Sequence, residues 1–118
     1  MYNFKKLKIW FKSIVIVVKS YKITRSFPKY ETYGLMSKIN RYAVSIPSNI
    51  SERTSKSSNK QFANYLEYSL GSAFEWETQL NVTFNGNYIT GEKFNKLENK
   101  IKQIKKMITS FKSGLKKS

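Results

Sequence analysis

Apolar residues recur along this chain at alternating steps of three and four, the spacing that aligns side chains on one face of an α-helix. The stripe Phe4, Leu7, Trp10/Phe11, Ile14, Val17/Val18 and Tyr21 predicts a helix over about residues 4–24, with Lys5, Lys8, Lys12, Lys19 and Lys22 filling most of the other positions. The β-branched run from Ile14 to Val18 argues locally for a strand, but the flanking period is helical. Leu35, Ile39, Tyr42, Ile46 and Ile50 predict a second helix over about 33–53. Its other stripe, Lys38, Arg41, Ser45, Ser48 and Glu52, is polar throughout, so this helix can face a core and a polar partner at once. Pro47 falls inside the pattern, where the lost backbone donor should kink the helix or end it. Phe62, Leu66, Ser69, Ala73, Trp76 and Leu80 predict a third helix over about 59–84. Phe94, Leu97, Ile101, Ile104, Ile108, Phe111 and Leu115 predict a fourth over about 91–115, the cleanest heptad of the set.

The stretches between these stripes carry stop and start chemistry. Ser26-Phe27-Pro28-Lys29 breaks the first helix, and Thr32 is placed to cap the second. The polar run Thr54 to Asn59 reads as a loop in which Ser58 and Gln61 form a capping box. Asn85-Gly86-Asn87 supplies residues that tolerate left-handed backbone, and Thr90 caps the last helix. Four helices on short connections predict an all-α fold, an up-down-up-down antiparallel four-helix bundle, with residues 1–118 as one domain. The third helix also carries Tyr65, Tyr68 and Phe74 away from its main stripe, more apolar surface than one bundle core can bury, which predicts a homo-oligomer. Gly71-Ser72 in mid-helix predicts close approach of another helix.

Charge narrows the function. The chain holds 22 Lys and Arg against 7 acidic residues, all Glu, for a formal net charge of +15. That balance favours polyanions, nucleic acid first and an anionic membrane surface second. The excess is uneven: residues 1–60 carry net +11, residues 61–92 net −4 without a single Lys or Arg, and residues 93–118 net +8. The middle block is thereby predicted to sit away from any polyanion. With neither Cys nor His, the chain lacks thiolate and imidazole chemistry, hence the commonest general base and the usual zinc ligands. Glu75 and Glu77 stand two residues apart, about 200° around a helix, and cannot share one substrate or metal. Without phosphate-loop or nucleophile motifs either, the reading is of a protein that is not an enzyme, with no metal and no cofactor. The first helix is too often interrupted by Lys for a signal peptide or membrane span, so a cytoplasmic location without stable membrane insertion is expected.

Two basic sets are candidates for phosphate contact. Lys38 and Arg41 on the second helix, with Arg53, Lys56 and Lys60 around the following loop, are predicted to form a compact nucleic-acid-binding cluster, Tyr30, Tyr33 and Tyr42 offering base-stacking faces nearby. Lys100, Lys102, Lys105, Lys106, Lys112, Lys116 and Lys117 form a more diffuse set. Glu77, inside an apolar stripe, needs a cation, and Arg41 is the predicted structural partner.

Two blocks of sequence carry a family resemblance. The run Tyr33-Gly34-Leu35, Ile39, Arg41, Ala43, Ser45-Ile46-Pro47-Ser48-Asn49-Ile50 and Glu52 resembles the second-helix signature of the bacterial 23S ribosomal RNA intervening-sequence proteins, which are four-helix bundles. Leu70-Gly71-Ser72, Glu75 and Glu77-Thr78-Gln79-Leu80 is similar to their third-helix signature. The chain departs from the pattern at Arg53, where the family has a Gly, and at Asn40-Arg41, where it tends to have two Arg. The resemblance implies a ring-shaped homopentamer and a link to insertions in 23S rRNA genes or to accessory bundles of reverse transcriptases. Residues and resemblance together point to a non-enzymatic oligomer binding RNA or single-stranded DNA with little sequence readout. The alternatives are an oligomeric scaffold for a protein partner, its charge serving solubility, and a basic protein at a membrane surface.

Overall fold

The computed structural model describes residues 7–53 and 56–116. Four helices follow in order, α1 (Lys8–Thr24), α2 (Leu35–Ile50), α3 (Asn59–Asn85) and α4 (Gly91–Lys116), with a single 3₁₀ turn at Lys29–Glu31 and no strand among the described residues. The expected start of the first helix at Phe4 lies outside the described residues, as does Lys117. Helices adjacent in sequence pack against one another, and α1 also packs on α4, which closes a four-cornered bundle. Cross-helix contacts give the directions. Ser69 Oγ donates to the Ile46 carbonyl at 2.9 Å, while Ser72 and Ser45, three residues later and one earlier, share a hydrogen bond of 2.7 Å. Phe62 meets Phe111, and Phe84 stacks on Phe94, so α3 and α4 also run in opposite directions.

The predicted stripes become the core. Ile9, Ile16 and Ile23 of α1, Leu35, Ile39, Ile46 and Ile50 of α2, Phe62, Leu66, Trp76 and Leu80 of α3, and Leu97, Ile101, Ile104 and Ile108 of α4 are all buried. The β-branched run of α1 is helical because Ile16 is fully buried in this core, and that burial outweighs a local preference of about 1 kcal/mol. Two polar groups cross the interior with their partners: Trp76 Nε1 donates to Ser20 Oγ at 2.8 Å, and Ser20 Oγ in turn donates to the Ile16 carbonyl.

Pro47 lies inside α2, which ends one turn later at Ile50, where the Ser51 amide bonds back to the Pro47 carbonyl at 2.9 Å. The capping box of α3 is complete, with Gln61 N donating to Ser58 Oγ and Ser58 N to Gln61 Oε1. Thr90 Oγ1 accepts from Lys93 N at the start of α4. Thr32, by contrast, does not cap α2: the 3₁₀ turn delays the helix to Leu35, the Thr32 hydroxyl bonds the Lys29 carbonyl, and Leu35 N is received by Glu31 Oε1 at 3.3 Å. Of Asn85-Gly86-Asn87, only Asn87 has left-handed backbone, φ 64°. The Gly71-Ser72 pair separates into two roles. Ser72 meets Ser45 on α2, whereas a Cβ built on Gly71 would meet nothing within 4 Å, so within this subunit no helix uses the space that glycine leaves.

Candidate nucleic-acid interface

The five cations expected to act together are distributed along the bundle. Lys38 and Arg41 are exposed on α2, and the twelve residue steps from Lys38 to the helix end at Ile50 span about 18 Å. Arg53, Lys56 and Lys60 lie beyond that end, around the connection to α3. Arg53 is already used by the fold: its guanidinium lies 5.0 Å from the centre of the Phe62 ring, with Nη1 3.5 Å from Asn59 Oδ1. It takes the place of the family's glycine by covering the α2–α3 corner, because α2 ends on Ser51 in right-handed backbone and needs no left-handed cap. Lys56 borders a depression of about 430 Å³ that Glu52, Tyr65 and Tyr68 also line. Arg41 stacks over Tyr42 at 5.3 Å.

The predicted partner of Glu77 requires correction. Glu77 is largely buried, its side chain 18% exposed, but its carboxylate takes Lys105 Nζ of α4 at 2.5 Å, not Arg41. The reason is the face: Glu77 turns toward α4, while Arg41 points to solvent from α2. Lys105 then lies 4.4 Å from the centre of the Phe74 ring. Two further α4 lysines are neutralised in the same way, Lys102 by Glu98 at 3.2 Å and Lys112 by Glu67. On the α3 side of α4, three of the lysines are thus paired, while Lys106, beside Leu70 and Phe74, enters none of the described ion pairs.

Across the helix the situation reverses. Between α1 and α4 runs a groove of about 670 Å³ with Lys19 and Lys22 on one wall, Lys93, Lys96 and Lys100 on the other, and the buried Ile23 and Leu97 as an apolar floor. Asn99 and Gln103 complete the α4 wall, and Gln103 Oε1 accepts from Lys12 at 3.3 Å, which extends the basic edge along α1. Among the described ion pairs these lysines enter one, Lys96 with Glu92 at 3.1 Å, an exposed pair of little net strength. Lys19, Lys22, Lys93 and Lys100 enter no described ion pair, so a groove of one sign, with a low-dielectric floor, concentrates positive potential. Lys93, Lys96 and Lys100 follow one another by about 4.5 and 6 Å along the helix axis, a row suited to successive phosphates of one extended strand.

Sequence reasoning missed this groove because it weighed lysines helix by helix. A signal was present: Lys19 and Lys22 flank the core position Ile23, and Lys93, Lys96 and Lys100 flank Leu97, so antiparallel packing of those two positions brings the sets together.

Aromatic rings stand at the end of the bundle where the groove opens beside Ile23 and Lys93. Phe27 packs against Tyr88 at 5.2 Å, Tyr88 Oη donates to Glu31 Oε2 at 3.0 Å, and Tyr30 Oη lies 3.2 Å from Tyr88 Oη. The Tyr30 bond, burial and the Glu31 carboxylate all push the Tyr88 phenol above its ordinary range. Tyr30 is 78% exposed and Tyr33 95%, whereas Tyr42 packs against the core and offers no free face. No group of three or more acidic residues among the described residues could hold a metal ion, and no described helix is long and apolar enough to cross a membrane.

The described residues thus form an antiparallel four-helix bundle with a lysine-lined groove between α1 and α4. The chain belongs to the 23S rRNA-intervening sequence protein family, which it matches over residues 5–110. The fold is similar to the crystal structure of a protein of unknown function from the S23 ribosomal protein family of Bacteroides thetaiotaomicron, with a TM-score of 0.80 and 25% identity over 89% of this chain and 95% of that one. No protein of curated function matches the chain.

Proposed function

We propose that this chain is a non-enzymatic, cytoplasmic homo-oligomer, a ring-shaped homopentamer, that binds RNA or single-stranded DNA through phosphate contacts with little sequence readout. The observation that carries this reading is the groove between α1 and α4, whose five lysines face a single exposed carboxylate. The membership of the 23S rRNA-intervening sequence family supports RNA as the natural polyanion. Each lysine is a point charge without the planar fork that reads a base edge, so the contacts position a strand without selecting its sequence. Tyr30 and Tyr33 add exposed rings on the α1–α2 connection, where bases of any identity can stack. Repetition of the groove around an oligomer gains avidity without any new contact.

The reading is tested by titrating the protein against fluorescent single-stranded RNA, single-stranded DNA and duplex DNA of unrelated sequences over a range of salt. Binding that falls linearly in log–log form, at similar affinity for different single-stranded sequences, is expected. Binding that is insensitive to salt, or no binding at low salt, would remove nucleic acid and leave a scaffold for a protein partner.

A further inference from the structure

Seven of the large exposed apolar side chains among the described residues belong to two helices. On α1 they are Phe11, Val15, Val18 and Tyr21, between 41% and 58% exposed; on α3 they are Tyr68, Phe74 and Val82, between 50% and 62%. The α1 set steps by four, three and three, which places it on the face opposite the core positions Ile9, Ile16 and Ile23. Because α1 and α3 each pack on both α2 and α4, they occupy diagonal corners, and their outer faces look in opposite directions. Apart from Phe74, whose ring Lys105 of α4 overlies in part, these side chains stay open within the subunit.

The two faces also differ in charge. Lys8 and Lys22 are exposed on α1, with Arg25 just past its end, while α3 holds no Lys or Arg after Lys60 and carries on its outer side Glu67, paired with Lys112 of α4, and the exposed Glu75. Glu75 enters none of the described ion pairs. Like-with-like pairing would set lysine against lysine, or glutamate against glutamate, at the rim of each contact, whereas α1 against α3 opposes unlike charges. Gly71 supplies a third observation. It sits in the middle of the α3 outer face, exposed, in a helix interior where glycine is unfavourable by roughly 0.5–1 kcal/mol against alanine, and its missing Cβ leaves open space that no part of this subunit fills.

We infer that the outer face of α1 in one copy of this chain docks on the outer face of α3 in the next copy, head to tail, with the second backbone approaching α3 at Gly71. Such a heterologous contact uses two different patches per subunit and closes into a ring when its rotation allows. It leaves the α1–α4 groove on the flank of each subunit, open to ligand. The inference rests on the oligomeric state proposed above and names the surfaces that produce it.

The test uses two variants of the full chain, Phe11→Asp with Val18→Asp on the α1 face, and Tyr68→Glu with Phe74→Glu on the α3 face, each checked for native helicity by circular dichroism. Light scattering of the separate variants should give monomers of 13.8 kDa, and their equimolar mixture a heterodimer, because one intact α1 face then meets one intact α3 face and growth stops. A mixture that stays monomeric, or one variant that keeps the wild-type assembly, would overturn the head-to-tail pairing while leaving the oligomer itself standing. A wild-type protein that is monomeric at the same concentration would overturn both.

Discussion

The indole N–H of Trp76 on α3 donates to Ser20 Oγ on α1 at 2.8 Å, a bond that joins two diagonal helices through the middle of the bundle. Both side chains are fully buried, so the serine is what makes a tryptophan acceptable at the centre of this core. Replacing Ser20→Ala keeps the volume nearly constant and leaves a buried donor unsatisfied, which costs about 1–3 kcal/mol. Urea unfolding should show that loss at an unchanged m-value. A change within about 0.5 kcal/mol would mean the indole finds another acceptor.

Glu77 and Lys105 provide the second prediction. Both side chains are more than four-fifths covered, so truncating either leaves a charge-assisted bond unmade in partial burial. Glu77→Ala and Lys105→Ala should each destabilise by roughly 1–3 kcal/mol and couple in a double-mutant cycle. Arg41→Ala, on an exposed guanidinium, should stay within about 0.5 kcal/mol and show no coupling to Glu77. Coupling between Arg41 and Glu77 would restore the pairing that sequence periodicity suggested.

Gly71→Ala separates folding from assembly. The new methyl group meets nothing within the subunit, and alanine favours a helix over glycine by about 0.8–1.0 kcal/mol, so thermal stability of the monomeric fold should rise or hold. If α3 is approached closely there by another copy, the same methyl group should weaken the assembly, seen as dissociation at higher protein concentration. A variant that is more stable and equally assembled would place the contact elsewhere.

The helices were legible in the sequence because each element obeys one period. Ile9 to Ile23 and Leu97 to Ile108 announce their buried faces, and the Ser58–Gln61 box and Thr90 announce two of the starts. What was not legible depends on which helices become neighbours. Glu77 reads as needing a cation, but only the packing of α3 against α4 selects Lys105 over Arg41. The same holds for Arg53, whose place over Phe62 only the α2–α3 packing sets, and for Lys19, Lys22 and Lys93, ordinary solvated lysines until α1 and α4 bring them to one groove. Thr32 failed as a cap for a local reason, the interposed 3₁₀ turn at Lys29–Glu31.

The central claim, that the α1–α4 groove holds a nucleic-acid strand by its phosphates, is tested most directly by the salt dependence of single-stranded RNA binding in two variants. One carries Lys19→Gln, Lys22→Gln, Lys93→Gln and Lys100→Gln; the other carries Lys38→Gln, Lys56→Gln and Lys60→Gln on the opposite flank. Each phosphate contact removed should flatten the slope of log K against log salt by about 0.7 on a single strand. The groove variant is predicted to lose both affinity and slope for every RNA sequence alike, while the second keeps a slope close to that of the wild type. A groove variant with unchanged slope, beside a second variant that loses it, would contradict this account and return the site to the α2–α3 side of the bundle.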